Sequence, residues 1–234
     1  MPSTVLSLRR YPVKSMGGED LARADLDARG IEGDRWYAVR DDDGRFASGK
    51  NTRRFRRRDG VFAYSAATEP DGAVLVSSAG QSWHVGDPHL DQNLTAALGV
   101  PVRVAPEGDV RHQDQGSVSL VGTATLRWCA ERWGGSPDPR RLRVNIVCET
   151  AEPFEEETWV GSTLQAGTAR LRVVERIPRC RTVDIVQDGV DPVRGWLKPL
   201  GEERDLCVAV YADVVAPGTV AVGDGLVVAG HSAA

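Results

Sequence analysis

The chain has 234 residues, of which 41% are hydrophobic and 26% are charged, the proportions of an ordinary soluble globular protein with a sizeable core. A formal net charge of −4 argues against general nucleic-acid binding. The sequence has no run of about 18 apolar residues and no apolar signal region at its start, which predicts a cytoplasmic protein that does not enter a membrane. The four cysteines form no C-x-x-C pair, which disfavours a zinc knuckle or an iron–sulfur centre.

The first part of the chain has the pattern of a series of short strands. A strand is predicted over residues 4–13, followed by a loop, and alternation resumes at residues 36–39. Turns rich in Gly, Pro and Asp separate three further predicted strands, at residues 61–68, 73–78 and 82–85. The pattern of short strands and turns is interrupted after these strands, so we predict one domain over residues 1–89 and a second over residues 90–234.

Two short helices are predicted in the second part. The first covers residues 90–98 and ends at Gly99, a residue that commonly terminates helices. The second covers residues 124–133, with apolar residues on one face and Thr123 as its N-cap. The N-terminus of this helix could accept an anion, although most helix N-termini do not.

A strand is predicted over residues 142–148, which places Arg143 and Asn145 on the same face. This pair is either a polar outer face or two side chains directed at a ligand. Many short strands and few helices predict a mainly β protein, built from β-barrels with a few short helices. We expect an N-terminal β-barrel-like domain and a second β-barrel domain.

The stretch around Cys180 is the strongest candidate for chemistry. The thiol lies between Arg179 and Arg181, with Arg176 close behind it. Nearby guanidinium groups favour the thiolate, which attacks electrophiles and binds soft metals. The alternative from this segment alone is an ordinary half-buried strand cysteine.

Seven segments of the chain match, in order and spacing, a pattern found in one protein family. They include YPVKS at residues 11–15 and GDRW at 33–36, followed by segments at 118–126, 143–147, 153–159, 179–184 and 222–224. With these segments the chain resembles MOSC-domain proteins, named for the domain of molybdenum-cofactor sulfurases, that carry an N-terminal β-barrel partner domain. The closest functional analogues by this likeness are the molybdenum-dependent amidoxime-reducing components.

The resemblance implies a molybdenum–pterin cofactor (molybdopterin) whose metal is bound by one protein cysteine, here Cys180. It also implies that Lys14, Ser15 and Arg35 hold the phosphate and the polar edge of the pterin. A lysine, a hydroxyl and a fork-shaped guanidinium are a chemically sensible set for a phosphate.

Further cofactor contacts are implied in the second domain. Arg143 and Asn145 match positions that approach the pterin. Family members usually have a hydroxyl residue where this chain has Gly122, so Thr123 or Thr125 is expected to supply that contact instead.

Two functions from different classes remain open. The first is a molybdenum-dependent oxidoreductase that removes oxygen from a small N-oxygenated substrate and receives electrons from a separate donor protein or reductase. In that case Asp114, which matches an acidic family position, is a candidate for proton delivery, although a loop aspartate is more often a cap or turn former. A third possibility is a protein that binds or stores the cofactor without catalysing a reaction.

The second function is sulfur transfer, with a persulfide carried on Cys180 and no bound molybdenum. A pterin site needs the phosphate-binding group Lys14, Ser15 and Arg35, whereas a sulfur carrier does not. This group therefore favours the cofactor enzyme.

Overall fold

In the computed structural model, which describes residues 3–190 and 195–229, short strands joined by tight turns dominate. The strands in the first half are β1 (Ser3–Arg10), β2 (Glu19–Leu21), β3 (Arg23–Asp27), β4 (Gly30–Ile31), β5 (Tyr37–Asp41), β6 (Phe46–Ser48), β7 (Phe55–Arg57), β8 (Ser65–Thr68), β9 (Val74–Ser78) and β10 (Gln81–His84). The strands that follow residue 90 are β11 (Val102–Pro106), β12 (Val118–Gly122), β13 (Ile146–Cys148), β14 (Thr163–Ala166), β15 (Ala169–Pro178), β16 (Cys207–Ala216), β17 (Gly218–Ala221) and β18 (Gly225–Ala229).

The α-helices of the described residues are α1 (Pro88–Leu98), α2 (Thr123–Trp133) and α3 (Leu197–Arg204). Short 3₁₀ helices lie at Asp59–Ala63, Pro139–Leu142, Glu155–Trp159 and Arg181–Asp184. None of these helices has the length and apolar character needed to cross a membrane. The prediction of a mainly β fold with a few short helices is confirmed.

Seven strands close into a barrel in the order β13, β12, β16, β15, β14, β18 and β1, with β1 pairing back onto β13. Only the β12–β13 pair among these is parallel. Val5 and Leu8 of β1 point inward and are fully buried, while Leu6 between them is 45% exposed. The two inward residues are three positions apart because the register of β1 shifts between Val5 and Ser7. The barrel interior is filled by apolar side chains from all seven strands, among them Leu120, Ile146, Leu164, Leu171 and Val210.

The N-terminal half forms smaller sheets beside the barrel. One sheet has the strand order β11, β5, β6 and β7, and a second has the order β10, β9 and β8. Their shared core includes Val39 and Val76 together with Leu90 and Leu94 of α1. This core holds the loops that carry the N-terminal part of the site described below.

The two predicted domains, residues 1–89 and 90–234, share strands across their boundary. The first strand, β1, completes the C-terminal barrel, while β11 pairs with β5, and β17 pairs with β3. The division of the chain into residues 1–89 and 90–234 therefore stays a prediction.

The predicted strand over residues 142–148 is wrong in its first half. Its N-terminal residue, Leu142, ends a 3₁₀ helix, Arg143 has a left-handed backbone with φ of 53°, and only Ile146–Cys148 forms a strand. Because the left-handed residue interrupts the alternation, Arg143 and Asn145 do not share a strand face. The N-cap prediction for α2 is also wrong, since the helix begins at Thr123 and its cap is Gly122.

Candidate functional site

A cavity of about 120 Å³ lies where the barrel meets the N-terminal sheets. This is roughly the volume of four water molecules, enough for a group the size of a phosphate. Both halves of the chain contribute to its wall. The predicted site residues that line it are Lys14, Ser15, Arg35, Asp114, Arg143 and Cys180.

The wall of the cavity carries a large excess of positive charge. Asp114 is the one carboxylate among the described lining residues. Arg35 is ion-paired with the fully buried Asp34, which outweighs the effect of burial and raises the pKa of that arginine. Burial lowers the pKa of Arg143 to about 10 and also lowers the pKa of Arg179. The basic lining residues are Lys14, Arg35, Lys50, Arg141, Arg143 and Arg179.

Lys14 follows β1 in a loop that β5 holds in place, because its N–H donates to the Tyr37 carbonyl at 2.8 Å. The residue is 4% exposed, and its Nζ lies 3.3 Å from Oδ2 of Asp114. Burial lowers the pKa of Lys14 to about 8, although the Asp114 carboxylate acts in the opposite direction. The cavity therefore contains a lysine that titrates close to neutral pH.

Three cavity residues have a left-handed backbone, with φ of 69° at Ser15, 56° at Arg35 and 53° at Arg143. Such angles are uncommon outside glycine and cluster at functional sites, where surrounding contacts enforce them. Here the Ser15 hydroxyl donates to the Ala47 carbonyl at 3.0 Å, and the Arg35 N–H donates to the Tyr11 carbonyl at 2.7 Å. The backbone is thus fixed where it presents these three polar side chains.

The buried ring of Tyr11 supports two of the cavity arginines. The guanidinium carbon of Arg143 lies 4.4 Å from the ring centroid and that of Arg35 lies 5.1 Å from it, both within the range of cation–π attraction. Arg143 also donates to the Met16 carbonyl at 2.6 Å and to Oε1 of Gln187 at 3.1 Å. These contacts order both guanidinium groups before any ligand arrives.

Cys180 lies just after the end of β15, partly exposed and free of any disulfide. Its Sγ is 3.2 Å from Oγ1 of Thr182. The neighbouring Arg179 donates from Nε to the Val208 carbonyl at 2.9 Å and from Nη1 to the Leu142 carbonyl at 2.8 Å. Its buried Nη2 has no hydrogen-bond partner. A buried donor without a partner is destabilising, so this atom marks a place for an acceptor.

Of the three arginines expected around the thiol, Arg179 lines the cavity and the other two pair elsewhere. Arg176 lies 3.6 Å from the Glu157 carboxylate. Arg181 makes a bidentate ion pair with Asp59, at 2.6 and 2.9 Å. The latter contact ties the thiol segment to the N-terminal half.

Two predicted cofactor residues, Asn145 and Thr123, do not line the cavity. Oδ1 of Asn145 accepts from the Ser119 N–H and hydroxyl at 3.1 and 2.8 Å, and Nδ2 donates to the Arg9 carbonyl at 3.2 Å. Oγ1 of Thr123 accepts from the Thr150 N–H at 3.2 Å. In this structure both side chains hold backbone segments together, and their roles toward a cofactor stay predictions.

The absence of a hydroxyl side chain at position 122 has a steric reason. A Cβ at Gly122 would lie 2.4 Å from Oγ1 of Thr150 and 2.7 Å from Oε2 of Glu156. The alternative donor Thr125 is buried, and its hydroxyl donates to the same Glu156 oxygen at 2.8 Å. The space next to Gly122 is therefore filled by a buried polar network.

Asp114 is held between two lysines. Burial acts to raise the pKa of Asp114. The ammonium groups of Lys14 and Lys50 outweigh this effect and hold the pKa far below its usual range. The carboxylate is therefore ionised at neutral pH. Its catalytic role stays a prediction.

Sequence reasoning missed several lining residues, among them Lys50, Arg141 and Tyr211. Arg141 stands two positions before the predicted Arg143 in a basic run, and that run was an available signal. Lys50 and Tyr211 are far from the other site residues along the chain, and nothing in their local sequence distinguishes them.

The fold and the cavity define a mainly β protein with a cationic cavity that contains a thiol. A model of the MOSC domain matches residues 107–227, just over half of the chain, and a model of the MOSC N-terminal beta barrel domain matches residues 2–94. The chain belongs to the MOSC-domain family, as the sequence pattern predicted. Proteins of this family commonly bind the molybdenum cofactor. No curated protein matches the chain.

Two solved structures are similar to this chain. The YUAD protein from Bacillus subtilis is 16% identical over 97% of this chain and 94% of that chain, with a TM-score of 0.50. YiiM from Escherichia coli is 12% identical over 100% of this chain and 71% of that chain, with a TM-score of 0.44. At this identity the likeness to the Bacillus protein concerns the fold alone.

Proposed function

We propose that the chain is a molybdenum-cofactor-binding oxidoreductase that reduces N-oxygenated compounds, such as amidoximes, hydroxamates and N-hydroxylated bases. The observation that carries the proposal is the composition of the cavity wall. Six basic side chains face one carboxylate around a cavity that also contains the Cys180 thiol. Such a wall suits an anionic ligand that also has a group for a thiolate to bind.

The metal-binding capacity of the chain fits a cofactor better than a free ion. Within the described residues, no group of three or more His, Cys, Asp or Glu side chains could hold a metal. A metal at Cys180 would therefore take its other ligands from the cofactor, and the sulfur atoms of a pterin dithiolene are suitable. Thiolate is a preferred ligand of soft metals, so the single cysteine is also a suitable residue.

The charge of the cavity fits the anionic part of such a cofactor. Lys14, Ser15 and Arg35 would hold the phosphate. The left-handed backbone of Ser15 and Arg35 and the burial of Lys14 fix these groups in place before a ligand binds. Arg143, ordered on the Tyr11 ring, would contact the polar edge of the pterin. Charge-assisted hydrogen bonds of this kind are roughly twice as strong as neutral ones.

When bound, the cofactor supplies the two-electron redox chemistry that the reduction needs. Reduction of an N–OH group to N–H and water consumes two electrons and two protons, and a separate electron-donor protein would deliver the electrons. Asp114 is ionised between two lysines that hold its pKa far below the usual range, so in this arrangement it has no proton to donate and does not readily accept one. Lys14, with a pKa of about 8, holds a proton at neutral pH on the same side of the cavity.

The proposal is tested with protein purified from a host that makes the cofactor. Reduced methyl viologen supplies electrons and benzamidoxime serves as substrate, and formation of the amidine is measured. We expect turnover by the wild-type protein and none by Cys180→Ser. The matched control is Cys207→Ser, a half-buried cysteine that does not line the cavity, and this variant should keep its activity.

A different outcome would support the competing function. Metal-free protein with a cyanide-releasable sulfur on Cys180 would contradict the reductase and indicate a sulfur carrier. Turnover that survives in Cys180→Ser would contradict the assignment of this thiol as the metal ligand.

A further inference from the structure

The carboxylate of Asp114 lies between two ammonium groups. Nζ of Lys50 is 2.9 Å from Oδ1, and Nζ of Lys14 is 3.3 Å from Oδ2. One negative charge thus faces two positive ones. This local excess of positive charge favours an added anion.

The fold holds the two ammonium groups together independently of Asp114. Both lie over the ring of Phe55, with Nζ of Lys14 4.8 Å and Nζ of Lys50 4.7 Å from the ring centroid. Phe55 itself is buried at 5% exposure, so its ring is a fixed support. Two cations placed side by side repel each other and favour any anion that can bridge them.

Asp114 is the more exposed member of the group. Its side chain is 39% exposed, compared with 32% for Lys50 and 5% for Lys14. The preceding residues anchor the backbone, because His112 and Gln113 are buried and Nε2 of Gln113 donates to the Arg29 carbonyl at 2.8 Å. The Asp114 side chain can therefore turn toward solvent while its loop stays in place.

We infer that Lys50 and Lys14 together form a phosphate subsite, and that Asp114 is the internal anion that a ligand's phosphate replaces. The inference rests on the proposed function and extends it, since it adds Lys50 to the binding residues and gives Asp114 a second role. A phosphate monoester dianion brings two negative charges to two ammonium groups, whereas the carboxylate brings one. The exchange therefore favours the dianion.

The test measures binding of inorganic phosphate by calorimetry at pH 7 and constant ionic strength. Asp114→Asn keeps the size of the side chain and removes the competing charge, so we expect phosphate to bind at least about tenfold more tightly. Lys50→Met in the Asp114→Asn background should reverse that gain. Asp114→Ser is a second variant that removes the charge with a smaller side chain.

The matched control is Asp20→Asn, which changes the net charge of the protein equally at a carboxylate that is 81% exposed and outside the cavity. We expect no change in phosphate affinity there. Unchanged or weaker phosphate binding in both Asp114 variants would overturn the inference, and so would an equal gain in Asp20→Asn. Molybdenum content separates this result from the proposed function, because the subsite can fail while the metal still binds, and the reverse also holds.

Discussion

Anion binding in the cavity should depend on pH through Lys14. Burial lowers the pKa of this lysine to about 8, so its proton is lost just above neutral pH. Asp114 stays ionised across this range, and Arg143, with a pKa of about 10, loses its proton later. Sulfate is a useful probe because it is a dianion throughout. Lys14 therefore dominates the change in sulfate affinity between pH 7 and pH 9.

The size of the effect follows from the protonated fraction of Lys14. A group with a pKa near 8 is about nine-tenths protonated at pH 7 and about one-tenth protonated at pH 9. If sulfate needs the ammonium form, its association constant should fall roughly tenfold over these two pH units. Calorimetric titrations at matched ionic strength measure this directly. In Lys14→Arg the guanidinium stays charged, so the affinity should be nearly independent of pH. A flat profile in the wild-type protein, or an equal slope in Lys14→Arg, would refute the reasoning.

Two further predictions concern stability. Burial lowers the pKa of His112 to about 4, so the unfolded state takes up a proton near pH 6.5 while the folded state does not. The free energy of unfolding should fall by roughly 2 kcal/mol between pH 7 and pH 5, and His112→Gln, unlike a change at the exposed His89, should remove most of this slope in denaturant titrations. Burial also raises the pKa of Glu156, whose Oε1 has no hydrogen-bond partner, so stability is lost as the pH rises above the carboxyl's unfolded pKa. Glu156→Gln should raise the free energy of unfolding at pH 8 by about 1–3 kcal/mol, with a smaller gain in acid, and a destabilised variant at pH 8 would contradict this.

The elements with strong local signals could be predicted from sequence. The helix α1 is an example, because Leu90 and Leu94 are buried and Gly99 ends it with φ of 70°. The helix begins at Pro88, two residues before the predicted start, because Asp87 caps it. The inward and outward alternation of the strands similarly predicted a mainly β fold. The sequence did not show that β1 joins the C-terminal barrel, since strand pairing depends on contacts between distant segments.

The predicted strand through Arg143 failed because its backbone is set by distant contacts. Its side chain bonds the Met16 carbonyl, 127 residues away, and packs on the Tyr11 ring. The alternation of polar and apolar residues along a segment cannot reveal a contact with such a distant residue. The same limit applies to Asn145, because a polar residue next to a strand can be a ligand-binding group or a buried clamp, and the pattern is identical in both cases.

The sequence predicted several residues of the candidate site, but it did not predict how they are arranged in space. Lys14, Ser15 and Arg35 stand in segments that match the family pattern, and all three line the cavity. Lys50 was not predicted, because its partner Asp114 is 64 residues away and nothing in the local sequence of Lys50 distinguishes it. Long-range ion pairs of this kind become visible only once the chain is folded.

The most direct test of the account is the molybdenum content of the protein purified from a host that makes the cofactor. We expect near-stoichiometric molybdenum together with pterin fluorescence in the wild-type protein. Both should be lost in the Lys14→Ala/Arg35→Ala double variant, and the metal should be lost in Cys180→Ala. Wild-type protein without molybdenum, or variants that keep it fully, would contradict the central claim that this cavity binds the cofactor.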